Sequence, residues 1–471
     1  MNSSSSSSVP NREASSAEEP DRLPRKTVVR YAAGSLGTGG FATLPGLVLV
    51  YYLTDSLGVT ALLAGVIVTG AKLWDVLIAP AIGGLSDRSL ARTGSRRGPM
   101  LVGAIGLPLA FVLTFAVPHG LSPGLSATWV LVAFVAAATF FSLFQVPYIA
   151  LPAELTTGYR ERTRLLSWRV VVLTLAILLF GAGGPEIRGL FPDDPLLGYL
   201  VMAIAAAAVL ATGLLIATTI APRGLPENVL RDAPGVFSLE HYREGISTLR
   251  ESQAFRALLA TFMLQGLATG LMLAGAQFVA RWVLQDEGAV TILFISLIAP
   301  AVLFAPLWRW IADRLGKERA FRIASLLFLI GAVALTGMLW APGWWIVGPV
   351  ALAGAAYAGM QTLPMAMLPD VISVDADRPN SDRGSRAGVF GGVWTAGETA
   401  AMALGATVLT IVLALTGYIE STVGTTVVQP AAAIAGISLS FSLLPAGLML
   451  ISLLTLNRYK LREHDLSEKI V

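Results

Sequence analysis

Long apolar stretches alternate with short polar connections along most of this chain. Windows of about 20 apolar residues, the length that spans a bilayer as a helix, are centred near Leu44, Val68, Leu107, Ala137, Leu175, Ala207, Ala268, Ile298, Leu329, Ala353, Ala406 and Leu444. The pattern predicts an all-α integral membrane protein with twelve transmembrane helices. One connection, 222–254, is much longer and more polar than the others, and it divides the windows six and six. The predicted organisation is a tail over 1–27, a first six-helix bundle over 28–221, a central loop over 222–254, a second bundle over 255–457 and a tail over 458–471. The opening MNSSSSSSVPNREASSAEEP has no apolar periodicity and reads as a solvated tail. No apolar run near the start resembles a cleaved signal.

Composition agrees with that reading. Of 471 residues, 55% are hydrophobic and 13% charged, against about 25% charged in a soluble domain. There are no cysteines and 3 histidines, so disulfides, thiolate chemistry and a metal site are not expected. No nucleophile–base constellation stands out, and no G-x-x-x-x-G-K-[ST] phosphate loop is present, which argues against an enzyme or a primary pump. No cofactor and no nucleic-acid partner are expected; the partners are a small-molecule substrate and the bilayer, and the chain is expected to be a monomer.

Basic residues give the orientation. With the N-terminus in the cytoplasm, inward connections carry Arg88, Arg92, Arg96 and Arg97, then Arg160, Arg162 and Arg164, then Arg223, Arg231 and Arg243, then Arg314, Lys317 and Arg319, then Arg378, Arg383 and Arg386, and finally Arg458, Lys460 and Arg462. Outward connections carry almost none, Arg188 being the exception. By the positive-inside rule both termini are cytoplasmic, in a bacterial-type inner (plasma) membrane.

The halves also repeat each other. Pro80 precedes the pair Asp87-Arg88 by the same interval that separates Pro306 from Asp313-Arg314. VPYIALPAEL (146–155) matches LPMAMLPDVI (363–372). Two pseudo-symmetric bundles in parallel repeat are the architecture of the major facilitator superfamily, with the substrate site between the halves near the midplane. Gly83, one turn before Asp87, lets a neighbouring helix approach closely. Asp87, Arg88, Asp313 and Arg314 then read as gate residues whose pairs form when the inner face closes; a static helix-end cluster is the alternative.

Four stretches carry a more specific resemblance: YYLTDSLG (51–58), KLWDVLIAPAIGGLSDRSLARTGSRRGP (72–99), VPYIALPAELTTGYRERTRLLSWR (146–169) and RAGVFGGVWTAGETAAMALG (386–405). They resemble the glycoside–pentoside–hexuronide:cation symporters, the group of melibiose permease. The resemblance implies sugar or glycoside transport by alternating access with a coupling cation. It also exposes departures. The family's second carboxylate in the second span is replaced by Ala79, and a fourth-span Asp by Gln145. A carboxylate of the first span falls on or near Gly39. A lysine expected after Trp394 is absent, and Glu398 stands there. Arg169 is retained.

Charged groups inside the bilayer are costly and face a bundle interior or a wet cavity. Lys72 and Asp75 share a helical face. Asp75 reads either as a coupling-ion site or as a structural partner of Lys72 or Arg169. Ser142 and Gln145 can assist it, but they make a poor cage for Na⁺, which needs several hard oxygens. The expectation is therefore H⁺ coupling, or none, ahead of Na⁺. Glu398 is a second candidate proton site. Lys72, Gln145, Tyr148, Arg169, Gln265, Gln361 and Trp394 are the candidate substrate-binding residues. Arg169 pairs with Asp75 in one reading and grips an anionic substrate group in the other. The leading function is a secondary transporter of a sugar or glycoside. A lipid carrier on the same scaffold and a non-transporting membrane sensor are the rivals.

Overall fold

The computed structural model describes residues 22–156, 159–222, 252–376, 386–423, 425 and 427–459. Twelve of its helices are long and apolar enough to cross a membrane. They are α1 (Arg25–Ser56), α2 (Ala61–Thr93), α3 (Arg97–Phe115), α4 (Pro123–Pro152), α5 (Glu161–Gly189), α6 (Pro195–Thr218), α7 (Gln253–Val283), α8 (Ala289–Leu315), α9 (Lys317–Leu339), α10 (Trp344–Ser373), α11 (Phe390–Leu415) and α12 (Ala431–Leu456). Most of the Ser-rich tail, most of the central loop, and the basic residues Arg223, Arg231, Arg243, Arg378, Arg383, Lys460 and Arg462 lie outside the described residues.

Local chemistry sets the helix ends. Pro24, extended, precedes α1, which therefore starts at Arg25, inside the stretch read as tail. Ser122 and Asp194 cap α4 and α6 by accepting from Leu125 and Leu197, each with Pro at the next position. Ser252 caps α7 in the same way, accepting from Phe255. α2 stops where Gly94 turns left-handed (φ 65°) and donates its N–H to the Leu90 carbonyl at 2.8 Å. Inside the helices, hydroxyls such as those of Thr114 and Thr261 return to carbonyls one turn back, at 2.9 and 2.7 Å. These hydroxyls thereby find an acceptor within their own helix.

The packing repeats with the sequence. In the first bundle α1 packs on α5 and α6, α2 on α4, and α3 on α4 and α6. In the second, α7 packs on α11 and α12, α8 on α10, and α9 on α10 and α12. Adding six to each label converts one set into the other, so the bundles are two copies of one arrangement. They meet through α2 with α11, α5 with α8, and α1 with α7, which is also symmetric under the exchange. α1 and α7 even end alike, in π-helical turns at Tyr52–Ser56 and Val279–Val283. The outer surface is lined by exposed side chains such as Leu77, Leu109, Leu303 and Leu454, which suits lipid and not water.

Close packing within a bundle depends on small residues. A Cβ at Gly354 on α10 would lie 2.1 Å from the Leu297 carbonyl oxygen on α8, whereas one at Gly348, earlier on α10, would meet nothing. Gly354→Ala should therefore cost about 1–3 kcal/mol of overpacking and lower the melting temperature in detergent. Gly348→Ala should leave it unchanged or slightly raised. Equal melting temperatures for the two variants would show that α8 and α10 part at no cost.

Candidate functional site

The helices that join the bundles carry the membrane charges: Lys72 and Asp75 on α2, Arg169 on α5 and Glu398 on α11. On the first-bundle side, Asp75 accepts a hydrogen bond from the Ser142 hydroxyl of α4. Gln145, one turn further along α4, does not join them, and its Oε1 is buried with no hydrogen-bond partner. Among the described residues Asp75 makes no ion pair with Lys72 or Arg169. Lys72 instead lies over the Phe41 ring, its Nζ 5.0 Å from the centroid. Arg169 lies 5.5 Å over the Tyr148 ring, and its Nε is buried without an acceptor. Tyr148 is fully buried, donates to the Tyr31 carbonyl at 2.7 Å and stacks on Tyr31. It is the floor under Arg169 and has no open face of its own.

The second-bundle side holds a cavity lined by α7, α10 and α11, including Gln265, Thr269, Tyr357, Gln361 and Glu398. Three separately predicted residues, Gln265, Gln361 and Glu398, thus share one wall. Trp394, another candidate substrate-binding residue, is on α11 as well. It is 2% exposed and its ring is stacked on Phe262 at 4.4 Å, so its face is already used. Tyr357 and Thr269 were not anticipated, because neither carries a charge that would mark it in an apolar stretch.

At the face that carries the chain termini, charged clusters stay inside single bundles. Arg96 bridges Asp87 at 2.6 Å and Glu154 at 2.5 Å, and also donates to Ser86 at 2.8 Å. Its counterpart in the second bundle is Lys317 with Asp370, 2.7 Å apart. The other expected gate residues take these positions in the present conformation, which is tied shut at the opposite face. Arg88 is exposed and leaves Asp87 to Arg96, because the chain turn at Gly94 brings Arg96 back over the end of α2. Asp313 is exposed and makes no ion pair among the described residues, while Arg314 lies 3.9 Å over the Trp310 ring. The connection from α8 to α9 is a single residue, too short for the same fold-back, so Lys317 reaches α10 directly. Gly83 is half-buried on α2.

The opposite face is tied across the bundles. The Tyr418 hydroxyl, on the connection after α11, donates to Asp55 in the π-turn of α1 at 2.6 Å and accepts from Trp282 in the π-turn of α7 at 2.8 Å. Ser421 and Val423 donate backbone N–H groups to the carbonyls of Thr54 and Ser56, at 3.0 and 3.3 Å. Glu420 accepts from the Ala61 N–H at 2.8 Å. Arg188 reaches Glu287 of the second bundle at 3.0 Å, with Arg281 on the other side of that carboxylate at 3.1 Å. Arg188, the exception in the charge pattern, is thus one half of a cross-bundle ion pair, stacked over Tyr51 and Tyr199. Deeper, Thr69 of α2 bonds to Thr407 and to the Ala403 carbonyl of α11.

Two bundles of one design, sealed to each other at one face, with charges along their joining helices, define a secondary transporter working by alternating access. The chain matches the family described as MFS/sugar transport protein over residues 30–463, and it belongs to that family. It is 26% identical to the glucuronide carrier protein homolog of Escherichia coli over 96% of this chain and 95% of that one. It is 24% identical to the sodium-dependent lysophosphatidylcholine symporter 1 of Gallus gallus over 96% and 89%. A crystal structure of a D-xylose-proton symporter has the same fold, with TM-score 0.62 at 15% identity over 91% of this chain and 96% of that one. The protein is a multi-pass membrane transporter of small molecules and not an enzyme.

The sealed face makes a direct prediction, since the chain has no cysteine to give a background. A single cysteine at Gln361 should react slowly with a membrane-impermeant maleimide added at the sealed face. Tyr418→Phe and Arg188→Ala each remove a hydrogen bond to a charged group, about 1.5–3 kcal/mol, so the labelling rate should rise about tenfold or more. Arg322→Ala, which breaks an exposed pair within α9, should leave it unchanged. Labelling as slow in the first two variants as in the third would mean that other contacts close this face.

Proposed function

We propose that the protein takes up a sugar or glycoside bearing an acidic group, in symport with protons, as a monomer in a bacterial-type inner membrane. Both termini face the cytoplasm in this reading, following the basic residues. The face sealed by Asp55, Tyr418 and Arg188 is then the outer one, and the conformation faces inward.

The observation that carries the substrate reading is Arg169. A guanidinium within a membrane helix is costly, and this half-buried one has no carboxylate partner among the described residues. Its planar fork suits a bidentate carboxylate or sulfonate. Lys72, which forms no ion pair among the described residues although Asp75 is near enough to attract it, adds a second positive charge. The E. coli relative is named for glucuronide, and a 25% identical Salmonella typhimurium relative, covering 94% of this chain and 91% of that one, is named a putative sulfoquinovose importer. Both sugars are anionic. A lysophospholipid is the second reading, favoured by the avian relative's name, because its phosphate would suit the same arginine.

Proton coupling is supported by the chemistry around Asp75. One carboxylate and one hydroxyl are too few for a Na⁺ cage, whereas a single carboxylate suffices to carry a proton between two sides. Ser142 can donate to the carboxylate or accept from the acid, so it serves both protonation states.

The test is solute-driven pH change in weakly buffered proteoliposomes, with methyl β-D-glucuronide and lysophosphatidylcholine as alternative solutes. Glucuronide should carry protons inward in the wild type. Asp75→Asn should abolish the proton flux. Arg169→Ala should raise the KM for glucuronide at least about tenfold, the worth of a charge-assisted hydrogen bond, and Arg169→Lys should restore part of it. Flux that needs Na⁺ and ignores pH would refute the proton, and uptake of lysophosphatidylcholine alone would refute the sugar.

A further inference from the structure

The cavity of the second bundle has a chemistry of its own. Gln265 is 2% exposed and spends its amide nitrogen on Ser325 and Ser452, at 2.8 and 3.4 Å. Its carbonyl oxygen is left buried with no partner. Gln361 spends its amide nitrogen on the Tyr357 hydroxyl at 2.6 Å, which leaves its carbonyl oxygen as an acceptor. The Glu398 carboxylate makes no hydrogen bond or ion pair among the described residues. The remaining walls, Phe262, Gly266, Met360 and Met402, are uncharged, so the cavity presents three side-chain acceptors, one hydroxyl donor in Tyr357, and no cation. Acceptors left bare in an apolar surrounding cost free energy until a donor arrives.

Across the bundle interface the charge is reversed, since Lys72 and Arg169 form no ion pair among the described residues and outnumber Asp75 there. Depth matches as well. Arg169 stands eight residues beyond Glu161 at the start of α5, and Glu398 eight residues beyond Phe390 at the start of α11. At about 1.5 Å per residue both lie roughly 12 Å from the termini-side ends of these spans. The two walls therefore lie at one depth of the membrane with complementary demands, one for an anion and one for donors.

We propose that the Glu398 cavity is a subsite for the hydroxyl-bearing end of the solute, with Glu398, Gln265 and Gln361 accepting its O–H groups while Arg169 holds the acidic end. Carboxylates accept from hydroxyls strongly and with geometric selectivity. A solute lacking the right hydroxyl leaves these acceptors unpaired and is rejected. The subsite also gives the second bundle a direct hold on the solute, so a bound solute touches both halves of the alternating-access device. The proposal rests on the sugar reading above.

The experiment compares wild type, Glu398→Gln and Glu398→Asp in proteoliposomes. The solutes are methyl β-D-glucuronide, its 2-, 3- and 4-deoxy analogues, methyl β-D-glucoside, D-glucosamine and lysophosphatidylcholine. Glu398→Gln should raise the KM for the parent glucuronide about tenfold and leave the proton-to-solute ratio unchanged. The same substitution should have little effect on the one deoxy analogue that lacks the hydroxyl Glu398 receives. Glu398→Asp, which keeps the charge and shortens the reach, should show the same analogue dependence and decides the matter if the Gln variant does not insert. A penalty equal for all three deoxy analogues, or an unchanged KM with a lost proton flux, overturns the subsite. Uptake of glucosamine that depends on Glu398 makes the cavity an ammonium site and overturns it too. If glucoside is carried and glucuronide is not, the acidic-group reading fails by itself, and the analogue comparison is made on glucoside. Uptake of lysophosphatidylcholine alone overturns both.

Discussion

A charge inside a hydrocarbon slab must be compensated, and where the protein does not compensate it the partner comes from outside. This constraint divides the charged residues of the chain into two groups. Arg96 with Asp87 and Glu154, Lys317 with Asp370, and Arg188 with Glu287 and Arg281 satisfy one another at the two faces. Lys72, Arg169 and Glu398, at depth, form no ion pair among the described residues and face aromatic rings or a small cavity. Asp75 is intermediate, with one hydroxyl for company. The uncompensated set lies on α2, α5 and α11, helices that connect the bundles and must shift when the transporter changes state. Compensation at the faces and its absence in the middle is the electrostatic form of a transport path.

The face clusters differ in what they hold. Those at the termini face fasten the ends of helices within one bundle, so they travel with the bundle as it rocks. The ties at the other face run from one bundle to the other and must break for that face to open. The π-turns of α1 and α7 are where this happens. A π-turn leaves a carbonyl poorly satisfied and bends the helix end, and here the bends bring Asp55 and Trp282 to the same tyrosine. The segment after α11 then lies against α1 through backbone hydrogen bonds, as an edge strand would. Such a tie is cooperative, because losing Tyr418 from Asp55 also loosens the backbone pairs beside it.

Much of the architecture was legible beforehand, for a physical reason. A bilayer demands about 20 apolar residues per span, so the helix count and the division into two sixes are written in long stretches that single residues cannot blur. The repeat was legible through Pro147 and Pro152 against Pro364 and Pro369, which punctuate α4 and α10 alike. Charges in apolar surroundings pointed to Lys72, Asp75, Arg169 and Glu398, since only those residues stand out there. The partners did not follow. Tyr418 meets Asp55 across 363 positions, and no local pattern carries that information. Asp87 takes Arg96 instead of the adjacent Arg88 because of one left-handed glycine, and the second bundle lacks the turn. Neutral residues such as Thr269 and Tyr357 were silent because Thr and Tyr are unremarkable in a membrane helix.

The two bundles share one packing scheme and yet present opposite charge to the space between them. Exact symmetry would place the same chemistry on both walls, and a symmetric site would fit a symmetric solute. Asp75, Lys72 and Arg169 belong to the first bundle and Glu398 to the second. The helices paired by the repeat, α2 with α8 and α5 with α11, carry different charges at their centres. Divergence of the halves has therefore been concentrated where the solute passes, while the packing that lets them rock has stayed common to both. A solute with an acidic end and a hydroxyl-rich end would be oriented by such a site, and its orientation would fix which end leaves first when the termini face opens.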